Sequence, residues 1–316
     1  MIRWWLLTAL VLAFAASLLL PLESLFGIDR ALALSVMIEL RLPRALLALA
    51  YGATLGASGA AIQALFANPL ASPDLTGTTS GAALGAVVTA YLLDFTAPLA
   101  LSVGSVIGAL AALALLLALA GPKAETATLL LAGLAISALA GALTTLALAL
   151  APSPFAFYDA YDWLMGSLVD RSLDQAAFAA LPGLLAILML LRRGPALDRL
   201  ALGEEVAQSL GHDVARLRIE IVWLTAFGVG ACVAICGAIG FIGLIAPIFA
   251  RRLTRGHPGR AILPAALIGA LLLLLADLAV RLAPLGRTLP IGVVTALIGA
   301  PFFLWLVAHM RWRMRA

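Results

Sequence analysis

Charge is scarce in this chain. Only 11% of its 316 residues are Asp, Glu, Lys or Arg, while 64% are hydrophobic; a soluble domain carries roughly 25% charged residues. So few charges cannot clothe a water-facing surface. Nucleotide and metal signatures are also missing. No Gly-x-x-x-x-Gly-Lys-Ser/Thr stretch occurs, so the chain does not cradle ATP phosphates by itself. No His-Glu-x-x-His and no paired-cysteine metal motif occurs either. Cys232 and Cys236 lie one helical turn apart in an apolar segment and read as small packing residues. His212, His257 and His309 fall in charged loops or at a helix end and read as solvated, so no metal site is expected. The apolar segments are nearly free of ionisable groups, with Asp277, close to one end of its segment, the nearest exception. That scarcity disfavours a proton- or sodium-coupled carrier, which needs a carboxylate or histidine at membrane depth. It equally disfavours an intramembrane enzyme, which needs a nucleophile with a base or a metal. No catalytic residue is assigned and no cofactor is expected.

What the chain has instead is apolar length. Runs of about 18 residues or more recur, each long enough to cross a hydrocarbon core of about 30 Å at 1.5 Å per residue. Backbone groups in lipid must bond within their own segment, so helices are expected, and the short alternating strands of a barrel are missing. The expected fold class is all-α: a polytopic membrane protein of about ten transmembrane helices, forming one transmembrane domain over 1–316. The segments cover about 4–21, 44–66, 76–93, 98–120, 127–151, 176–191, 219–237, 241–251, 261–280 and 289–309. The first, preceded by Arg3 and containing Ala13-Phe14-Ala15, reads as a start anchor in preference to a signal peptide.

Orientation follows from the basic residues. With the N-terminus in the cytoplasm, the outer segments hold only Arg30, Arg41, Arg44, Arg171, Arg281 and Arg287 of the 20 Lys and Arg residues. The positive-inside rule therefore places both termini in the cytoplasm, and the basic pI reports topology, not a nucleic-acid partner. The outer loop over 152–175 carries Asp159, Asp162, Asp170 and Asp174, with Tyr158, Tyr161 and Trp163 suited to a membrane interface. The inner loop over 192–218 contains Gly203-Glu204-Glu205-Val206-Ala207-Gln208-Ser209-Leu210-Gly211, which predicts a short helix closed by glycine. Such a helix is either a docking knob for a soluble partner or a plain connector. Gly52-x-x-x-Gly56 and Gly104-x-x-x-Gly108 predict close helix packing. A weak internal repeat places Gly59-Ala60 ten residues before Pro69, and Gly237-Ala238 the same interval before Pro247. A bundle without its own energy-coupling groups points to a partner that supplies energy.

Several motifs in order carry a resemblance. Arg41-Leu42-Pro43-Arg44 leads through Gly59-Ala60 and Gln63 to Asn68-Pro69-Leu70-Ala71, Gly77 and Ser80-Gly81-Ala82. Leu202-Gly203-Glu204, Leu210-Gly211, Gly237-Ala238-Ile239-Gly240-Phe241-Ile242-Gly243-Leu244, Pro247 and the stretch from Leu289-Pro290-Ile291-Gly292 to Gly299-Ala300-Pro301-Phe302-Phe303 come later in the chain. From about Arg41 onward the chain resembles the permeases that import iron–siderophore complexes, haem and vitamin B12, the FecCD/BtuC family. The resemblance implies the BtuC-like type II ABC importer permease fold in the bacterial inner membrane. It implies a second permease subunit, identical or paralogous, two cytoplasmic ABC ATPase subunits and a periplasmic substrate-binding protein, with membrane lipid around them. The implied cargo is an iron(III)–siderophore or related iron chelate; haem, vitamin B12 and oxyanions use the same scaffold, and an ion-coupled carrier is the alternative of another class. By the same resemblance Arg41, Arg44 and Arg281 dock the binding protein, where a planar guanidinium suits carboxylates and the competing role is a snorkelling anchor. Gly203, Glu204, Glu205, Ala207, Leu210 and Gly211 form the ATPase coupling segment. Asn68, Leu70, Thr126 and Ala127 match positions that narrow the cytoplasmic exit. Two positions depart from the family pattern: Ile248 stands where histidine is usual after Pro247, and Thr288 where glutamate is usual before the terminal Leu-Pro.

Overall fold

The computed structural model describes residues 2–21, 29–95, 97–121, 126–150, 164–283 and 289–313. Lys123, Tyr158, Asp159, Tyr161, Asp162, Trp163, Arg287 and Thr288 lie outside these residues, as do the side chains of Thr126, Ala127 and His309. Every regular element described is helical. The first helix, α1, spans Ile2–Leu19. A short α2 (Arg30–Ser35) runs through a π-helical turn (Val36–Arg41) into α3 (Leu42–Leu65). A 3₁₀ turn at Pro73–Thr76 precedes α4 (Thr78–Tyr91), followed by α5 (Pro98–Ala120), α6 (Thr126–Ala149) and α7 (Leu173–Leu200). The chain continues through α8 (Glu204–Ser209), α9 (Val214–Cys236), α10 (Ile242–Leu253), α11 (Ile262–Leu282) and α12 (Ile291–Arg313).

Each expected span falls on a helix. Six helical stretches are long and apolar enough to cross a membrane, and Trp4–Leu19 and Ile291–Leu306 are shorter apolar helices. Several boundaries move: the second span is preceded by continuous helix from Arg30, and two others shift at the α8 end. The sequence expectation ends the sixth span at 191 and starts the seventh at 219, where charges begin. In the structure α7 continues to Leu200 and α9 starts at Val214. The charges end the apolar window but not the helix. Arg193 on α7 pairs with Glu220 on α9 at 2.9 Å and bridges the two helices, while Arg216 pairs with Glu220 within α9 at 3.2 Å.

Helix α3 is the axis of the bundle. The most apolar window of the Arg30–Leu65 stretch is 78% buried, against 28% for those of α5, α6 and α7. It packs on α11, α7 and α10. Small residues permit this. A methyl group at Gly52 would overlap the Gly269 backbone, and one at Gly56 the Ala265 carbonyl. The α4–α5 pair is built the same way, with Gly81 and Gly85 set against Gly108 and Gly104. Backbones that touch at glycine replace side-chain interdigitation with close main-chain contact. The motif pair hinted at by Gly59 and Gly237 does not fall on equivalent places: Gly59 lies inside α3 and Pro69 in the turn after it, whereas Gly237 caps α9 and Pro247 lies inside α10.

The two ends of the bundle are pinned by different polar contacts. One end carries the start of α3 and the end of α11, where Arg44 meets Asp277. The other carries the end of α7, the start of α11 and α8, and there Asp198 accepts from the Gly259 amide at 2.8 Å.

Candidate functional sites

At the α8 end, the short helix stands between two glycines with left-handed backbone, Gly203 at φ 111° and Gly211 at φ 82°. The first reverses the chain leaving α7; the second closes α8, with Gly211 N donating to Gln208 O (2.9 Å) and His212 N to Ala207 O (3.1 Å). Only Ala207 is buried in this helix. Gly203, Glu204, Glu205, Leu210 and Gly211 are exposed. So are the apolar side chains Leu202, Val206 (44%) and Leu210 (55%), spaced four apart along a segment rich in charge. These three side chains put exposed apolar surface on a charged loop. One ion pair ties it to the bundle: Arg218, largely buried in the first turns of α9, donates through Nη2 to Glu204 Oε1 at 2.7 Å. Arg199 lies against the ring of His212 beside it. The expected short helix is present, and the structure brings its six expected coupling residues together on one knob.

The turn after α3 is fixed by polar contacts. Ala67 takes a left-handed φ of 47°. Asn68 Oδ1 accepts from the Leu70 amide at 2.9 Å, and the Asn68 carbonyl accepts from Ala71 N at 3.1 Å. The Asn68 amide donates to Gln63 O, and the fully buried Gln63 side chain donates through Nε2 to Leu244 O of α10. Asn68 and Leu70 therefore share one rigid turn anchored on α10, with Leu70 half-buried. Thr126 opens α6. That helix reaches the 3₁₀ turn through Ser137, whose Oγ donates to Asp74 O at 3.1 Å.

The three arginines at the other end turn inward, which the loop positions alone do not reveal. Arg41 is 6% exposed. It donates through Nη1 to Leu18 O (2.7 Å) and through Nη2 to Pro21 O (3.0 Å). Arg281 donates through Nη2 to Ser17 O (2.6 Å) and Ser17 Oγ (3.0 Å). These carbonyls at or beyond the C-terminus of α1 lack partners within their own helix, and cations there also complement the helix dipole. Arg44 donates through Nε to Asp277 Oδ1 at 2.7 Å, and Asp277 Oδ2 lies 3.4 Å from Arg281 Nε. Asp277 is fully buried. A buried carboxylate needs paired cations: Arg44 supplies a hydrogen bond to Oδ1, and Arg281 an ion-pair contact to Oδ2, which accepts no hydrogen bond among the described residues. Sequence reasoning passed over Asp277 as a mere near-exception in an apolar span. Its signal was the Asp277-x-x-x-Arg281 spacing, which puts both groups on one face of α11.

Cys232 and Cys236 are buried free thiols in α9. Among the described residues no group of His, Cys, Asp and Glu could hold a metal ion. Ile248 is half-buried on α10 beside the buried Pro247.

This architecture has counterparts. A structure described as an inward-facing conformation of a metal-chelate type ABC transporter superposes with a TM-score of 0.87 at 33% identity, over 98% of this chain and 99% of that one. PsaBC from Streptococcus pneumoniae in complex with Fab shares the fold at a TM-score of 0.58 and 20% identity, over 83% of this chain and 88% of that one. In sequence, the chain is 40% identical over 284 residues to the vitamin B12 import system permease protein BtuC of Vibrio cholerae serotype O1, covering 86% of this chain and 82% of the relative. It is 38% identical over 287 residues to the Fe(3+)-citrate import system permease protein YfmE of Bacillus subtilis, covering 90% and 85%. Residues 2–309 match the FecCD transport family along almost the entire bundle, and the chain belongs to that family.

Proposed function

We propose that this chain is the permease subunit through which a bulky metal chelate, a ferric complex or a corrinoid, enters the bacterial cytoplasm. Family membership makes it a membrane transport subunit of an ABC importer and not an enzyme, with ATP hydrolysed by separate ATPase subunits. The whole-chain likeness to a metal-chelate transporter carries the cargo reading. We place the α8 end in the cytoplasm, where the apolar ridge of Leu202, Val206 and Leu210 seats in an ATPase subunit and Glu204 and Glu205 flank it. The Arg44 end then faces the periplasm, and a substrate-binding protein docks over Arg41, Arg44 and Arg281. A second permease copy, identical or paralogous, covers part of the exposed sides of α5, α6 and α12. The Asn68–Leu70 turn with the start of α6 at Thr126 and Ala127 forms the cytoplasmic gate, a fixed turn that narrows the exit without binding cargo.

The deciding experiment reconstitutes the permease with its ATPase subunits in vesicles and measures uptake of vitamin B12 and of ferric citrate separately. ATP-dependent accumulation of one of them supports the reading and names the cargo class. Uptake driven by an ion gradient without ATP would replace it with a secondary carrier. The fully buried Asp277 does not favour that alternative, because it is already neutralised by Arg44 and Arg281.

A further inference from the structure

The loop that joins α10 to α11 gathers positive charge without an answering acid. Between Glu220 and Asp277 the chain has no Asp or Glu, yet this stretch holds Arg251, Arg252, Arg255, His257 and Arg260. Leu253, Thr254, Arg255, His257 and Arg260 line a pocket of about 340 Å³. Its backbone is held in shape. Arg255 and Gly256 take left-handed φ values of 54° and 85°. Gly256 N donates to Arg251 O at 3.0 Å, and the Gly259 amide is fixed on Asp198 of α7 at 2.8 Å. Other acids of this end are engaged elsewhere: Glu204 with Arg218, Glu220 with Arg193 and Arg216, and Asp213 with the first turn of α9. Among the described residues the exposed side chains of Arg255, His257 and Arg260 make no ion pair and no hydrogen bond. Two guanidinium groups and an imidazole around one pocket are a donor set suited to phosphate oxygens.

One wall of the pocket is apolar and leads out of it. Leu253 ends α10, and Phe249 lies one turn earlier on the same face. Phe249 is 41% exposed, and its ring stacks on Phe302 of α12 with centroids 5.9 Å apart. Leu263, in the first turn of α11 and three residues past Arg260, is exposed too. A free phosphate ion, or a carboxylate on a soluble protein, would use the charged half and leave the apolar half bare. An amphiphile uses both. We infer that this pocket seats the headgroup of an anionic phospholipid, with Arg255 and Arg260 on its phosphate, His257 beside them, and an acyl chain along Leu253 and Phe249. Its place in the inner leaflet rests on the orientation proposed above; the pocket itself does not. Basic pockets between helices on the cytoplasmic side are where such headgroups are held.

The test is native mass spectrometry of the full-length permease released from detergent, with melting temperature recorded for every variant. The probes are phosphatidylglycerol, phosphatidylcholine with the same acyl chains, and soluble glycerol 3-phosphate. The parent is expected to retain phosphatidylglycerol about tenfold better than either of the others. Arg255→Gln with Arg260→Gln is expected to lower that retention about tenfold. Arg192→Gln with Arg252→Gln removes the same charge from exposed positions outside the pocket, and should change retention less than about twofold. Phe249→Ala is expected to weaken phosphatidylglycerol several-fold and to leave glycerol 3-phosphate unchanged. Equal losses from the two double variants would mean diffuse attraction of charge to the leaflet, and the pocket is overturned. Glycerol 3-phosphate held as tightly as phosphatidylglycerol, with Phe249→Ala silent, would make this a site for soluble phosphate and overturn the lipid. If added ATPase subunits displace phosphatidylglycerol and the Arg255, Arg260 double variant releases them, the cations serve the ATPase instead. A parent that shows no preference for phosphatidylglycerol refutes the inference outright. The readout involves neither cargo nor ATP, so failure of the importer reading leaves it standing.

Discussion

Gly56 shows how much of this fold rests on single atoms. Its α-carbon faces the Ala265 carbonyl so closely that any side chain would overlap backbone, and backbone in a packed helix cannot step aside. Gly56→Leu is expected to cost about 1–3 kcal/mol or more, the usual penalty for overpacking, and to lower the melting temperature of the detergent-solubilised protein. Gly141→Leu is the matched control. Gly141 has nothing within 4 Å of where a Cβ would sit, so its melting temperature should stay within the effect of about 0.5 kcal/mol typical of surface changes. Equal losses at the two sites would mean that α3 and α11 are not in backbone contact. The Gly52-x-x-x-Gly56 spacing announces a packing face in the sequence, but it does not say which helix receives it. That choice depends on Gly269 and Ala265, more than 200 residues later, and no local pattern links them. The arginines are legible to the same degree. Charge bias places Arg41, Arg44 and Arg281 at one end of the bundle, yet their inward turn follows from where α1 ends, which periodicity does not give.

At the scale of the element, α8 was readable almost to the residue. A glycine, six residues of helix and a closing glycine are local chemistry, and local chemistry survives folding. The extension of α7 past Arg192 was not readable. Its extra turns are held by the Arg193–Glu220 pair, a contact between two helices, while the apolar window that marks the span had already ended. The same distinction separates what α8 does for stability from what it does for a partner. Val206 and Leu210 are exposed, so replacing both by Asp removes little that the isolated permease uses. Val206→Asp with Leu210→Asp is expected to leave the melting temperature of the free subunit within the range set by about 0.5 kcal/mol per surface site. Co-purification of the ATPase subunits from native membranes should fall at least tenfold. Stoichiometric ATPase on the doubly substituted chain would show that the ridge is a connector. The Glu204–Arg218 pair belongs to the same element but acts differently. Glu204 is half-exposed, so the bond adds at most about 1 kcal/mol to folding. Its consequence is orientation, since it fixes α8 to the first turns of α9. Arg218→Gln is therefore expected to keep the ATPase bound while lowering cargo moved per ATP hydrolysed in proteoliposomes. An unchanged ratio would confine the pair to local packing.

For the molecule as a whole, one question organises everything else: which end lies in the cytoplasm. The two ends differ in composition for a physical reason. Basic residues resist translocation across the membrane during insertion, so loops that stay inside keep them. The α8 end carries Arg192, Arg193, Arg199, Arg216, Arg218, Arg251, Arg252, Arg255 and Arg260, while the segments assigned to the other side keep Arg30, Arg41, Arg44, Arg171, Arg281 and Arg287, of which Arg41, Arg44 and Arg281 engage oxygens of the chain itself. In the proposed orientation, the arginines of the α8 end that are not paired like Arg193, Arg216 and Arg218 are left for the anionic leaflet and the ATPases. The charge of Arg41, Arg44 and Arg281 is consumed in building the Arg44 end. Native Cys232 and Cys236 are buried and will stay silent to a bulky thiol reagent, so single cysteines can report the orientation directly. Asp94 sits exposed in the turn between α4 and α5, and Glu205 sits exposed on α8. In intact spheroplasts a membrane-impermeant maleimide is expected to label Asp94→Cys and to spare Glu205→Cys until the membrane is opened. The reverse pattern would put α8 in the periplasm, beyond the reach of any ATPase, and the importer mechanism would lose its energy source at once. Labelling of both positions in sealed cells would mean that the population inserts both ways. The inside bias of the arginines argues against that, because moving the α8 end outward would carry nine guanidinium groups across the bilayer to spare the six of the outer segments.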